Sequence, residues 1–190
     1  MKASFNDLQR ADVLRVKNKI REKLANIHQD AGFNKLPTNW TGDAFLTGGA
    51  IASIMQWEEP KDWDIYFKSH ATQAWFASNY KMFKSGIADV NEKYQDFLGK
   101  DGKMVTARSI TMKNGISFII MQNMAGNPND VRKYFDYVHC MPWYDLLNNV
   151  LYMSPVQYEA CHRKLLVVNN PAVIKPYRES KFLERGYKKA

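Results

Sequence analysis

Cysteine is nearly absent: the chain of 190 residues carries only Cys140 and Cys161. Two thiols so placed lack the paired spacing of a zinc site and can form at most one disulfide. A disulfide-stapled secreted scaffold is therefore excluded, and both are read as reduced thiols of a cytoplasmic protein. No apolar run approaches the length needed to span a bilayer. The opening residues Met1–Asp7 also lack the apolar stretch of a secretion signal. Internal repeats, low-complexity tracts and linkers are missing too, so the whole chain, 1–190, reads as one domain.

What is present suits a packed core. Hydrophobic residues make up 45% and aromatic residues 13%, which excludes intrinsic disorder. Lys and Arg number 27 against 19 Asp and Glu, a net charge of +8, which favours a polyanionic partner such as a nucleotide or nucleic acid.

Residues 7–29 read as an amphipathic helix with Asp7 as N-cap and Val13, Val16, Ile20, Leu24 and Ile27 on one stripe. Its other face, Arg10, Arg15, Lys17, Lys19, Arg21 and Lys23, is read as solvated before it is read as a nucleic-acid contact. Gly32 and Pro37 bracket a loop leading to a strand at about 43–47. Gly48-Gly49 follows, then a helical segment with Ile51, Ile54 and Met55 at helical spacing, a break at Pro60, and a strand-like Asp62-Trp63-Asp64-Ile65-Tyr66-Phe67. A helix is expected over 71–83, while 86–102 has no clear pattern beyond a turn at Gly99, Asp101 and Gly102. Asn114-Gly115 between two strand-like runs, 104–112 and 116–122, signals a hairpin, and Ser117–Met121 has the unbroken apolar character of a central strand. A short helix at 129–134 leads to a predicted strand at 134–140. The region 142–190 reads as helical, with segments at 142–150, 155–167 and 177–188. Ser154-Pro155 is a helix start. In the last segment Arg178, Lys181, Arg185 and Lys188 form a basic stripe.

Side chains alternate across a strand, so Asp62, Asp64 and Tyr66 share one face and Trp63, Ile65 and Phe67 the other. Two carboxylates standing together repel unless a cation lies between them, and hard oxygen ligands of this kind suit Mg²⁺. Glycine lets backbone N–H groups approach a ligand closely, which makes Gly48-Gly49 at a strand-to-helix junction a candidate anion cradle. Asp136 is isolated in an apolar run and costly to bury without a partner, which a shared metal would supply. Asp89, Asp96 and Asp130 sit in loop-like or helix-start contexts and are weaker candidates. His139, with no Cys/His cluster around it, is expected to be a packed histidine.

Gly48-Gly49, a helix and Asp62-x-Asp64 in that order resemble the signature of the DNA polymerase β-like nucleotidyltransferase superfamily. The segments 135–140 and 181–187 resemble those of small phage-encoded nucleotidyltransferase-like proteins, which would place the chain in a host cytoplasm. The resemblance covers about 43–140 and implies an α+β fold, a mixed β-sheet flanked by helices with a helical C-terminal part. It further implies transfer of a nucleoside monophosphate from an NTP to an acceptor hydroxyl, with Mg²⁺ or Mn²⁺ as two ions about 4 Å apart. Asp62, Asp64 and Asp136 would hold the metal. Thr47, Gly48, Gly49, Ser53 and Tyr66 would touch the nucleotide, and Arg178, Lys181 and Arg185 would meet nucleic acid. No segment is set aside for gripping a duplex, so the acceptor expected is RNA, a protein or a small molecule rather than a templated primer. A nucleic-acid- or partner-binding protein without catalysis, and a toxin-like regulator, are the alternatives. The sequence leaves the choice of NTP and the oligomeric state open.

Overall fold

The computed structural model describes residues 5–25, 27, 37, 39–83, 86–98, 102, 104–121 and 124–190. The parts of the expected first helix and loop at 26, 28–36 and 38, Gly32 among them, and Gly99 and Asp101 of the expected turn, lie outside the described residues.

The first helix, α1 (Phe5–Ala25), begins before Asp7, so Asp7 lies within it. Its apolar stripe is the one expected: Val16 and Ile20 are completely buried and Leu24 is packed against the core. Part of its basic face is engaged as well. Arg15 donates to the carbonyls of Ile54 and Met55, Lys19 pairs with Glu59, and Lys23 contacts the carbonyl of Asn114.

Strand β1 (Ala44–Thr47), helix α2 (Gly49–Met55) and strand β2 (Trp63–Phe67) form the central motif, and helix α3 (His70–Asn79) follows. Three strands then build one wing of the sheet: β3 (Ile87–Leu98), β4 (Met104–Met112) and β5 (Ile116–Met121). The stretch without a sequence pattern is thus the longest strand, and its register against β4 shifts in two places. Such bulges interrupt the alternation that a sequence reading depends on. After α4 (Pro128–Arg132) come β6 (Trp143–Asp145), β7 (Val150–Tyr152), α5 (Pro155–His162), β8 (Leu165–Leu166), α6 (Pro176–Glu184) and β9 (Lys188–Lys189).

Among the described residues seven strands form one mixed sheet in the order β3-β4-β5-β2-β1-β6-β7, in which only β2 and β5 run parallel. Alternation along its strands separates two cores. Trp63, Ile65 and Phe67 of β2 join Ile51 and Ile54 of α2 and Phe76 of α3 in one. Tyr66 joins Phe45, Val131, Phe135 and Phe182 in the other. β5 is buried along its whole length and contributes to both, which explains its unbroken apolar run.

Several expectations fail beyond residue 134, among them the helix over 155–167, which ends at His162 and gives way to β8, paired with β9. Residues 134–140 form no strand, only an isolated bridge from Tyr137 to Val168 and a 3-10 turn at Val138–Cys140. The backbone carbonyl of Asp136 takes N–H groups from Asn169 and Asn170 instead of a strand neighbour. The place beside β1 belongs to β6, from the segment read as a helix. There Asp145 Oδ1 accepts from the N–H of Leu147 and Asn148, and Asn149 adopts φ 55°, closing a tight β6–β7 turn. An Asp side chain bonded to backbone two and three residues ahead competes directly with helix formation. The C-terminal region is therefore partly strand, and the sheet extends well past residue 140.

Candidate active site

β1 and β2 lie side by side with Thr47 opposite Asp64, so the chain leaves β1 at Gly48 directly against the Asp64 side chain. Gly48 has φ 91° and ψ −155°, a conformation that side-chain-bearing residues avoid. A Cβ there would stand 3.0 Å from Asp64 Oδ2. At Gly49 a Cβ would meet nothing within 4 Å, so this side of the turn opens onto space. Gly48→Ala is accordingly expected to cost about 1–3 kcal/mol of stability and to displace the Asp64 carboxylate. Thermal denaturation together with the transfer assay described below checks this, and Gly49→Ala, with open space around it, should be far milder.

One pocket gathers most of the residues that the sequence singles out. Gly48, Gly49, Ser53, Asp62, Asp64, Tyr66 and Asp136 line it, and so do Arg178, Lys181 and Arg185 of α6. Lys61 and Cys140 line it too. From the sequence Lys61, like Lys68 and Arg108, reads as an ordinary surface charge before a cation that neutralises phosphate. Cys140 arrives through the fold alone. Burial first, and the charge of Asp62 second, push the Asp64 carboxyl up to about 7, with Arg178 and Lys181 pulling the other way. Asp62 is exposed, one residue ahead of the strand.

Thr47 is differently placed from the rest. It is fully buried, and its hydroxyl donates to the carbonyls of Pro142 at 2.8 Å and Cys140 at 3.3 Å, tying β1 to the loop behind the site. Tyr66 lines the pocket from the core, only 4% exposed and stacked on Phe45. Ser53 is almost completely buried and its Oγ accepts from Arg185 Nη2 at 3.0 Å.

The expected stripe is only partly realised: the helix ends at Glu184, so Arg178, Lys181 and the capping Arg185 line the pocket while Lys188 stands exposed in β9. Arg178 grips Asp136 with both arms of its guanidinium, Nε to Oδ2 at 2.7 Å and Nη2 to Oδ1 at 3.2 Å. Asp136 Oδ1 also accepts the N–H of Tyr137. At the far end Arg185 bonds Glu58 at 2.6 Å as well as Ser53, and Glu58 in turn takes Lys164. These two cations hold the Glu58 carboxyl below its usual range against the opposing effect of burial. Between the clamps Phe182 packs edge-on to His139, their rings 4.5 Å apart. His139 is the packed histidine expected: it is fully buried, and burial lowers its pKa to about 3, leaving it uncharged.

The donor set fits a divalent cation at Asp62 and Asp64, where two hard carboxylates face solvent-accessible space and repel one another. Among the described residues no three or more His, Cys, Asp or Glu side chains converge as a ready-made metal cluster. Asp136 shares the pocket but spends its charge on Arg178.

Solved structures similar to this chain include CCA-adding enzymes and a tRNA nucleotidyltransferase. The Thermotoga maritima CCA-adding enzyme complexed with tRNA matches with TM-score 0.52 and 15% identity over 78% of this chain and 35% of that one. A CCA-adding enzyme in an apo form matches with TM-score 0.51 and 13% identity over 78% of this chain and 35% of that one. A tRNA nucleotidyltransferase complexed with a primer tRNA and an incoming ATP analog matches with TM-score 0.50 and 13% identity, over 78% and 43%. This chain thus spans well under half the length of these structures, and the likeness is one of fold: the DNA polymerase β-like nucleotidyltransferase fold, α+β with a mixed sheet. No curated protein matches the chain in sequence. The family model of the Gabija anti-defense 2 proteins matches residues 14–164, well over half of the sequence, and the chain belongs to that family, Gad2.

Proposed function

We propose that this protein is a divalent-metal-dependent nucleotidyltransferase that moves a nucleoside monophosphate from an NTP to an acceptor hydroxyl, releasing pyrophosphate. The observation that carries the reading is the meeting of Asp62 and Asp64 with an open glycine turn and the cations of α6 in one pocket. In this assignment Asp62 and Asp64 hold Mg²⁺ or Mn²⁺, which supplies charge neutralisation at the phosphates when bound. Lys61 and Lys181, both exposed at the pocket, neutralise the triphosphate. Gly49 leaves room for a phosphate oxygen close to the backbone, whereas Gly48, expected to share in the cradle, gives its N–H to the carbonyl of Cys140 and has the Asp64 carboxylate on its open side. Ser53 orients Arg185 toward the same anion rather than touching it. The stripe Arg178, Lys181 and Arg185 is thereby assigned to the nucleotide instead of nucleic acid. Phosphoryl-transfer chemistry is mainly alignment and stabilisation of accumulating negative charge, which this residue set serves. A second ion would draw on Asp136, which requires Arg178 to release it. RNA is the acceptor class that the positive net charge favours.

The Arg178–Asp136 clamp is also the observation that favours a second reading, a nucleotide-binding protein without transfer. Incubation with each labelled NTP, Mg²⁺ or Mn²⁺ and total cellular RNA, followed by detection of transferred label and pyrophosphate, separates the two. Asp62→Ala with Asp64→Ala should abolish transfer while the protein stays folded. Equal transfer by the double variant and the wild type would sink the assignment.

A further inference from the structure

Trp57, in the loop after α2, is 80% exposed and adopts φ 61°, a left-handed conformation unfavourable for a bulky residue. It is held there actively. The Arg15 guanidinium lies 3.8 Å from the ring centroid, while the same side chain bonds the carbonyls of Ile54 and Met55 and the carboxylate of Asp12. One face of the indole is thus covered by a cation and the other is left open. Beside it runs a shallow groove lined by His162, Arg163, Lys164 and Lys188, with Asp12 as the sole acid in its lining. Asp12 is itself occupied by Arg15 and by the Tyr158 hydroxyl, and faces His162 Nδ1 at 3.6 Å. Arg163 and Lys164 pair with Glu159 and Glu58, and Lys188 is exposed. Glu58 links this groove to the pocket, since one of its oxygens takes Lys164 of the groove and the other Arg185 of the pocket.

We infer that this surface binds single-stranded nucleic acid, with one base stacked on the open face of Trp57 and phosphates along the groove. An exposed aromatic face beside a cationic track is the arrangement that single strands use, because every base has a π-face and every linkage an anion. The positive φ itself closes α2: the N–H groups of Trp57 and Glu58 bond the carbonyls of Ile54 and Ser53, a helix ending that usually takes glycine and here presents an indole to water. The inference deepens the proposed function, on which it rests for the idea that this strand is the acceptor.

Binding is measured by fluorescence anisotropy without NTP or metal, using a single-stranded oligonucleotide of about 12 residues in ribo and deoxyribo forms and the matching duplex. The two single-stranded arms identify the source, and binding of either supports the inference. Glycine tolerates positive φ, so Trp57→Gly should keep or raise the melting temperature while weakening single-strand binding by about 10-fold or more. Trp57→Phe should retain most of the affinity, and Arg163→Glu with Lys188→Glu should weaken it and flatten its salt dependence. Unchanged affinity in Trp57→Gly, preference for the duplex, or no single-strand binding at low salt overturns the inference. Failure here leaves the pocket assignment standing, and absence of label transfer leaves this binding result standing.

Discussion

Asp64→Asn is expected to make the metal-free protein more stable at pH 8, by on the order of 2–4 kcal/mol, while removing transfer. The Asp64 carboxyl titrates near 7 in the fold against an ordinary value of 3.8, because burial and Asp62 both disfavour its charge. Between about pH 4 and pH 7 the native state therefore keeps a proton that the unfolded chain has released. Wild-type stability falls as pH rises through that window and levels off above it. The asparagine variant lacks this loss, so its advantage is small at pH 4, grows to about pH 7 and is constant beyond. Adding Mg²⁺ at pH 8 should reverse the order, since only the wild type gains from binding the cation at paired carboxylates. Thermal melts of both proteins across pH, with and without Mg²⁺, read this out. A difference that does not vary with pH would refute the strained-carboxylate picture.

Arg178→Met should be more damaging than its position near the C-terminus suggests. It leaves Asp136, only 3% exposed, without its bidentate cation. Removing one partner of a buried pair costs about 3–5 kcal/mol, because the remaining charge keeps its desolvation penalty. Asp136→Asn combined with Arg178→Met should recover most of that loss, since the polar group left behind still accepts the Tyr137 N–H. The recovered double variant then tests chemistry separately from folding. If Asp136 serves the second ion, its transfer should fall by about 100-fold or more. Retained transfer would make Asp136 a structural residue whose task is to seat α6.

The central motif was legible because each of its parts is local. Alternation in Trp63–Phe67 assigns faces without knowledge of the fold, and Gly48-Gly49 marks the turn regardless of what packs behind it. The stripe of α6 was legible as spacing but not as direction: Arg178 and Asp136 are 42 residues apart, and no periodicity encodes their contact. Strand propensity at Tyr134–Cys140 lost to tertiary context, because the carbonyl of Asp136 is claimed by Asn169 and Asn170. Asp145 was likewise capable of overturning the helix at 142–150 through its bonds to Leu147 and Asn148. The hydroxyl of Thr47, adjacent to the glycines and plausible as a phosphate ligand, turns inward because two carbonyls of the neighbouring loop need a donor.

The α6 segment is pinned at one end by Arg178 on Asp136 and at the other by Arg185 and by Tyr187, whose hydroxyl accepts from Gln56. Its removal would strip three cations from the pocket wall and bare the aromatic bed of Tyr137 and His139 in a single cut. A proteolytic nick in the stretch after Asn170 could thus silence the protein while both acidic residues of β2 and its approach remain untouched.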